Sequence, residues 1–226
     1  MSVSILYYKV SPEKISSVTD SGQIMTQMMI WLSELPEDKQ KQVKRLRQPL
    51  DQYLSLAGLQ LLKHSISDFS CKPFALNQLQ YPDKGKPFIP GEIDFNISHS
   101  GEMVCCVVSD SVKVGIDIEL QRQVYPGTIK KILSGNEEYD KQDNTLQDFF
   151  SVWTRKEAIV KAANAGSVYN LHEIQLASGG GYYLDHFWYC YPVDIISGES
   201  GKAYTCHIAC SADSSEINIK QIHKLL

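Results

Sequence analysis

Two carboxylates alternate along one apolar segment of the chain, and their spacing suits metal chemistry. Residues 114–119 read VGIDIE, which has the β-branched residues of a strand. On a strand, Asp117 and Glu119 point to the same face, about 6.5–7 Å apart, while Ile116 and Ile118 point to the other. Neighbouring carboxylates repel each other, and Mg²⁺ would relieve that repulsion because it prefers carboxylate and phosphate oxygens. The alternative is a solvent-facing strand edge that carries two acids.

A third acid lies on a helical segment together with lysines. Residues 145–165 carry an apolar stripe that predicts a helix. Trp153, Glu157 and Lys161 are spaced i, i+4 and i+8, which puts them on one face of that helix. Because Lys156 and Lys161 flank the acid, the segment could complete a site for an anionic ligand. The alternative is a surface ion pair that contributes ~0.2–0.5 kcal/mol.

The peptide FNISHSG at 95–101 brings hydroxyls, an imidazole and loop amides together. Groups of this kind bind phosphate, and Ser98 and His99 are the candidates. A serine hydrolase is a weaker interpretation, because the chain lacks a GxSxG motif and adjacent residues of a strand diverge. A histidine with a purely structural role is the other alternative.

Secondary-structure elements that position these residues recur in two halves of the chain. Strands are predicted at residues 3–10, 92–97, 103–109, 112–120, 173–177, 182–196, 204–210 and 217–222. Helices are predicted at residues 23–35, 37–47, 51–62, 127–133, 136–139 and 145–165, with Asp51 as an N-cap and Gly166 as a C-cap. The pattern predicts an α+β fold in which each half has helices and a small antiparallel sheet, with a boundary near residues 110–113.

Composition places the chain among ordinary globular proteins. It has 226 residues, of which 43% are hydrophobic and 21% are charged, and its net charge is −4. That charge argues against a nucleic-acid partner, and no apolar run approaches the ~18 residues that span a bilayer. The start of the chain lacks a signal-peptide pattern, so the expected location is cytoplasmic. The six cysteines lack metal-ligand spacing and are predicted to be buried free thiols.

Taken together, the motifs resemble the 4′-phosphopantetheinyl transferases of the Sfp type. FNISHSG at 95–101, GIDIE at 115–119 and WTRKEAIVK at 153–161 follow GKP at 85–87 in the family's order and at its separations. Each motif alone is a weak signal, whereas the four together are specific. The resemblance implies a pseudo-dimer of two similar α/β subdomains, each a small mainly antiparallel sheet with helices. Residues 1–111 would form the N-terminal subdomain and residues 112–226 the C-terminal one, with the active site between them.

The resemblance also implies an activity. The chain would transfer the 4′-phosphopantetheine arm of coenzyme A to a serine of an apo acyl or peptidyl carrier protein and release 3′,5′-ADP. Mg²⁺ would be held by Asp117, Glu119 and Glu157, and the catalytic residues would be Glu157, Lys161 and Asp117. Either Glu157 or a water bound to the metal would take the serine proton. Lysines and small polar side chains would contact coenzyme A: Lys39, Lys41, Ser55, Lys86, Ser98, His99, Lys156 and Lys161.

One pair of positions departs from the family pattern. After the basic segment 39–47, where the family often has basic residues, this chain has Gln52 and Leu54. If these positions replace phosphate contacts, the chain would discriminate weakly between coenzyme A and its 3′-dephospho form. Two other functions stay open, a catalytically silent module that binds coenzyme A or a carrier protein, and a Mg²⁺-dependent phosphohydrolase. The expected partners are coenzyme A and carrier proteins, without nucleic acid or membrane, and the expected state is a monomer.

Overall fold

The computed structural model describes residues 2–11, 15, 21–91, 93–132, 146–165, 168–195, 201–214 and 216–225. Two sequence predictions, the helix at 136–139 and Gly166 as a C-cap, lie outside these residues. The strands are β1 (Ser2–Lys9), β2 (Asp94–Ser100), β3 (Met103–Ser109), β4 (Val114–Leu120), β5 (Gln175–Ala177), β6 (Gly180–Tyr183), β7 (His186–Pro192), β8 (Tyr204–Cys210) and β9 (Glu216–Ile222). The helices are α1 (Ser21–Ser33), α2 (Glu37–Lys44), α3 (Pro49–Ser70), α4 (Pro126–Ile132) and α5 (Leu146–Ala163), and short 3₁₀ turns lie at Leu76–Gln78 and Val168–Glu173.

The strands form two sheets that confirm the predicted α+β fold. The first has the order β2, β3, β1, β9, and the second has the order β4, β8, β7, β6, β5. All neighbouring strands are antiparallel except β1 and β9, which are parallel. Strands β2 and β4 therefore each lie at the edge of their sheet, a position that leaves backbone groups to be satisfied by something other than a neighbouring strand.

Alternation along the strands separates the core into layers. On β1, Val3, Ile5 and Tyr7 pack against the second sheet, whereas Leu6 packs against the side that α3 covers. On β4, Ile116 and Ile118 point into the layer between the sheets. Helix α5 covers the opposite face of the second sheet. The order is therefore α3, first sheet, second sheet, α5, and the face of β4 that carries the acids is turned towards α5.

Several predicted boundaries are wrong. Helix α3 begins at Pro49 with Gln48 as its N-cap, so Asp51 lies inside the first turn. The strand predicted at 182–196 is a hairpin of β6 and β7, because Leu184 and Asp185 both take left-handed backbone angles, φ 51° and 56°. Strand β9 pairs in parallel with β1 and so joins the first sheet, while the division of the chain at residues 111 and 112 stays a prediction.

Two further sequence predictions concern the cysteines and the membrane. The cysteines of the described residues are free, and all of them are buried except Cys71, which is exposed at the end of α3. Cys71 therefore contradicts the prediction of six buried thiols. None of the helices in the described ranges has the length and apolar character needed to cross a membrane.

Candidate active site

The two edge strands β2 and β4 meet through side chains. Four side-chain oxygens at alternate positions of β2 accept hydrogen bonds from four alternate backbone amides of β4. The pairs are Asp94 with Val114 at 2.8 Å, Asn96 with Ile116 at 3.0 Å, Ser98 with Ile118 at 3.4 Å and Ser100 with Leu120 at 3.1 Å. These bonds satisfy amides that the edge of the second sheet would otherwise leave unpaired, and they place β4 in a single register against β2.

Asp117 lies at the centre of the site, between β2 and α5. It is 5% exposed, and its Oδ1 accepts hydrogen bonds from Ser98 Oγ at 3.1 Å and from Lys161 Nζ at 2.6 Å. Its Oδ2 is buried and has no hydrogen-bond partner within the described residues. Burial raises the pKa of Asp117, while the Lys161 ammonium opposes that rise. One oxygen of this carboxylate is therefore fixed by two hydrogen bonds, and the other has none from the described residues.

Glu119 lies two residues further along the same face of β4. Its Oε2 accepts hydrogen bonds from Ser100 Oγ at 2.8 Å and from the Arg122 guanidinium at 2.9 Å. The side chain is 17% exposed, so it lies closer to solvent than Asp117 does. The sequence argument that both acids share one face of a strand is borne out by this geometry, since both meet serines of β2.

Glu157 reaches the site from α5, which can approach β4 closely because of Gly115. A Cβ atom at Gly115 would lie 2.1 Å from the backbone oxygen of Ala158, so only glycine allows this separation. Glu157 is 7% exposed. Burial and, after it, the neighbouring Asp117 carboxylate raise the pKa of Glu157 from an ordinary 4.5 to about 7. A carboxyl group with such a pKa can exchange a proton near neutral pH.

Lys161 follows Glu157 by one helical turn and supplies the positive charge of the site. Its Nζ donates to Asp117 Oδ1, to Ser98 Oγ at 3.1 Å and to the backbone oxygen of Ile116 at 3.2 Å. Burial opposes its protonation, but the Asp117 carboxylate outweighs that effect and raises the pKa of Lys161 above its ordinary value. Lys161 is therefore a fixed cation beside the carboxylates of Asp117 and Glu157.

Lys156 and Lys86 are placed differently from Lys161. Lys156 has no exposed surface, and its Nζ donates to the backbone oxygen of Ile132 at the end of α4 at 2.8 Å. Lys86 Nζ donates to Asp94 at 2.6 Å and to the backbone oxygen of Val114 at 2.8 Å. Burial lowers the pKa of Lys86, and Asp94 opposes that change. Both ammonium groups thus bond to protein oxygens, and their contacts to coenzyme A stay predictions.

The remaining predicted ligand residues surround the start of α3. His99 lies on the face of β2 opposite Ser98, and part of its side chain is exposed. The buried part of the ring and the charge of Lys161 lower its pKa, while Asp51 and Glu119 oppose that change. Ser55 is half-buried on α3. In α2, Lys39 Nζ lies 5.2 Å from the ring centre of Tyr81, and Lys41 pairs with Asp38 at 3.3 Å. The structure brings His99 near the carboxylates electrostatically, while the lysines of α2 face the loop at Tyr81 and solvent.

The interpretation of Leu54 as a replaced phosphate contact is wrong. Leu54 is 3% exposed and belongs to the core between α3 and the first sheet. A charged side chain there would be buried without a partner, so the position cannot carry a ligand contact in this fold. Gln52 is half-buried, and its Nε2 donates to the backbone oxygen of Leu46 at 2.8 Å.

The carboxylates fit a hard divalent cation by chemistry. Within the described ranges, no three His, Cys, Asp or Glu side chains converge at metal-ligand distance. The buried and unpartnered Asp117 Oδ2 and the raised pKa of Glu157 nevertheless both mark a place where negative charge lacks compensation. A divalent cation would supply that compensation, and carboxylate oxygens are ligands that Mg²⁺ accepts. Asp117, Glu119 and Glu157 are therefore the residues that could hold one.

Four of the residues that shape the site were missed by the sequence argument. These are the ones that hold the acids or their strand: Asp94, Asn96, Ser100 and Arg122. A signal for three of them was present, because polar residues occupy every second position from 94 to 100, the period of one strand face. The position of Arg122 beyond the end of β4 gave no comparable signal.

Comparison with known proteins gives matches along most of the chain. A sequence model of the 4′-phosphopantetheinyl transferase superfamily matches residues 113–208, and one of the 4′-phosphopantetheinyl transferase N-terminal region matches residues 23–111. The 4′-phosphopantetheinyl transferase gsp of Aneurinibacillus migulanus is 32% identical over 138 residues, 59% of this chain and 58% of that protein. A 4′-phosphopantetheinyl transferase of Bacillus subtilis is 31% identical over 145 residues, 60% of this chain and 62% of that protein. AcpT of Escherichia coli K12, also named a 4′-phosphopantetheinyl transferase, is 36% identical over 114 residues, 47% of this chain and 55% of that protein.

The chain therefore belongs to the 4′-phosphopantetheinyl transferase superfamily and is of the Sfp type. It aligns with less than two thirds of the length of each of these relatives. The motifs that carried the resemblance, 95–101, 115–119 and 153–161, are the ones that supply β2, β4 and α5 to the site.

Proposed function

We propose that this chain transfers the 4′-phosphopantetheine arm of coenzyme A to a serine hydroxyl of an apo carrier protein and releases 3′,5′-ADP in a Mg²⁺-dependent reaction. The observation that carries the proposal is the meeting of two family motifs at one point. Asp117 and Glu119 from β4 face Glu157 and Lys161 from α5, and Lys161 bonds directly to Asp117. Relatives that are 31–32% identical over 138–145 residues bear the name of this activity.

Asp117, Glu119 and Glu157 would hold Mg²⁺ at this point. The ion, when bound, neutralises charge on the diphosphate of coenzyme A and on the transferred phosphoryl group. Two features of the chain support a cation site here: Asp117 Oδ2 has no hydrogen-bond partner among the described residues, and the pKa of Glu157 is raised. Lys161 adds a fixed positive charge on the same side, and such a charge stabilises a transition state in which phosphate oxygens gain negative charge.

Glu157 is our candidate for the proton acceptor. The serine oxygen forms a bond to phosphorus, the phosphorus–oxygen bond to 3′,5′-ADP breaks, and the serine proton moves to a carboxylate oxygen of Glu157. Before a cation binds, burial and the Asp117 carboxylate raise the pKa of Glu157 to about 7, so this carboxylate is more basic than an ordinary glutamate. Glu157 lies on α5 close to Asp117 and Glu119, so the proposed proton acceptor is next to the proposed cation site.

The adenosine end of coenzyme A would lie along the first sheet and the loop at Lys86. A groove of about 430 Å³ there is lined by three lysines and by aromatic rings, namely Lys84, Lys86, Lys113, Phe88 and Trp188. His99 and Ser55, together with Lys39 or Lys41, remain the proposed contacts on the side of α3, and Ser98 remains a proposed contact on the side of β4. Asn164, which follows α5, accepts the backbone amide of Lys86 at 2.6 Å and so ties this loop to the helix that carries Glu157 and Lys161.

Incubation with coenzyme A, Mg²⁺ and an apo acyl or peptidyl carrier protein tests the proposal. Mass spectrometry of the intact carrier should show the mass of one phosphopantetheine arm with the wild type and none with Asp117→Asn. Asp110→Asn, a change at an exposed aspartate beyond the end of β3, is the matched control and should leave transfer unchanged. Binding of coenzyme A without a mass increase would favour a silent binding module instead. A cytoplasmic location and a monomeric state stay predictions.

A further inference from the structure

The serines of β2 repeat one contact pattern at the two acids of β4. Ser98 Oγ donates to Asp117 Oδ1 and accepts the amide of Ile118. Ser100 Oγ donates to Glu119 Oε2 and accepts the amide of Leu120. Each serine therefore bonds both to a carboxylate and to the backbone amide of the residue that follows it. The same arrangement occurs twice along one pair of strands.

This pattern fixes the direction of each hydroxyl proton. A serine hydroxyl has a single proton, and an oxygen that accepts from a backbone amide must direct that proton elsewhere. At Ser100 the available acceptor is the Glu119 carboxylate, at 2.8 Å. A rotating surface hydroxyl would spread over three staggered orientations, whereas this one is committed to one of them. The carboxylate is therefore held by an oriented donor.

A positive charge binds the same carboxylate oxygen as the serine does in both cases. Lys161 Nζ lies 2.6 Å from Asp117 Oδ1, and Arg122 lies 2.9 Å from Glu119 Oε2. The bonds recorded for each acid among the described residues fall on that one oxygen. For Asp117, the other oxygen is buried and unpartnered over the same residues. Fixing one oxygen also fixes the direction in which the second oxygen points.

The side chains of β2 that bond to β4 differ according to which β4 residue they face. Asp94 and Asn96 also accept β4 amides, at Val114 and Ile116, so an acceptor alone is sufficient to join the strands. The residue before Ile116 is Gly115, which offers no carboxylate. The hydroxyls, which can donate as well as accept, occur at the two positions that face Asp117 and Glu119. Joining the strands does not require that coincidence, whereas orienting the acids does.

We propose that Ser100 is a positioning residue that orients the Glu119 carboxylate for a divalent cation, with Ser98 in the same role for Asp117. This inference rests on the proposed function. Ser100 is the sharper test because Ser98 is also a proposed ligand contact. Removal of a side chain that orients a metal ligand typically lowers metal affinity or activity by about 10–100-fold. The expected effect of losing the Ser100 hydroxyl is therefore a weaker cation site rather than a slower chemical step.

The test compares Ser100→Thr with Ser100→Val, which have the same shape and differ in the hydroxyl. Both β-branched side chains suit a strand, so the comparison stands even if Ser100→Ala is poorly folded. The dissociation constant of Mn²⁺ with coenzyme A present is measured by calorimetry, and the Mg²⁺ dependence of transfer is measured alongside. We expect Ser100→Val to bind Mn²⁺ at least about 10-fold more weakly than Ser100→Thr, with a higher KM for Mg²⁺ and a kcat at saturation within about threefold.

Ser109→Ala is the matched control, since the bonds of Ser109 Oγ to described residues go to Ser2, Ser111 and Val112 and to no acid. It should lower the melting temperature without changing the Mn²⁺ dissociation constant. Equal Mn²⁺ affinity in the Thr and Val variants would overturn the positioning role. Failure of the proposed function would appear differently, as a wild type that binds Mn²⁺ and coenzyme A but transfers nothing. A wild type that binds no Mn²⁺ would refute both.

Discussion

The raised pKa of Glu157 makes an energetic prediction that does not depend on knowing the substrate. The folded chain holds a proton on Glu157 up to about pH 7, whereas an unfolded chain loses it near the ordinary value of 4.5. Between these two pH values the folded state binds more protons than the unfolded state, so stability falls as pH rises. Each pKa unit corresponds to about 1.4 kcal/mol, so the cost reaches about 3 kcal/mol at pH 8.

Glu157→Gln removes that cost because the amide keeps the shape of the carboxyl group and cannot ionise. Without metal, the variant should be more stable than the wild type by about 2–3 kcal/mol at pH 8 and by about 1 kcal/mol or less at pH 5. Transfer should be lost, because the same change removes the proposed proton acceptor and metal ligand. Such a cost to stability is expected where a proposed catalytic residue such as Glu157 must carry a buried charge.

Urea unfolding at pH 5, 6, 7 and 8 in the presence of EDTA measures this difference. Glu173→Gln, which changes an exposed carboxylate on the turn before β5, is the control and should remain within about 0.5 kcal/mol of the wild type. If Glu157→Gln has the same pH dependence as the wild type, or is less stable at pH 8, the electrostatic reasoning fails. Addition of Mg²⁺ and coenzyme A should stabilise the wild type and not the variant, since a ligand stabilises only the fold that binds it.

Three further predictions follow from contacts in the site. Lys161→Met should lower kcat/KM for carrier modification by about 10²–10³-fold. Lys44→Met, at the exposed end of α2, should keep kcat/KM within about threefold of the wild type. Equal losses in the two variants would refute the role of Lys161. Gly115→Ala should destabilise the fold by about 1–3 kcal/mol and reduce transfer, because its Cβ would meet the backbone of α5; unchanged thermal unfolding would contradict the close approach. Leu54→Arg should destabilise the fold by more than about 3 kcal/mol, and a stable variant with a stronger preference for coenzyme A over its dephospho form would show that the position is not core.

The sequence predicted which acids share a face of a strand or helix, because their spacing is a direct property of local structure. A period of two on β4 and a period near four on α5 put Asp117 with Glu119 and Glu157 with Lys161, whatever the rest of the chain does. The close approach of α5 to β4 also had a visible cause, Gly115, although its meaning requires the helix to be in place. The family motifs then supplied the relation between the two elements.

Long-range pairing and turn chemistry were beyond the sequence argument. Strand β9 joins β1 in parallel across almost the whole length of the chain, and no local pattern specifies that partner. The turn at Leu184 and Asp185 lacks the Gly or Asn that normally marks two left-handed residues, so β6 and β7 read as one strand. The alternating polar residues of β2 are visible in the sequence. The backbone amides to which they bond lie at the edge of β4, and the sequence does not show that these two strand edges meet.

Stoichiometry of product formation tests the central claim most directly. Coenzyme A, Mg²⁺ and an excess of apo carrier protein are incubated with the wild type, and 3′,5′-ADP and modified carrier are quantified in the same sample. The account predicts one 3′,5′-ADP for each carrier that gains one phosphopantetheine on serine, and no 3′,5′-ADP when the carrier is absent. Release of 3′,5′-ADP without carrier modification would indicate a phosphohydrolase and would contradict the account.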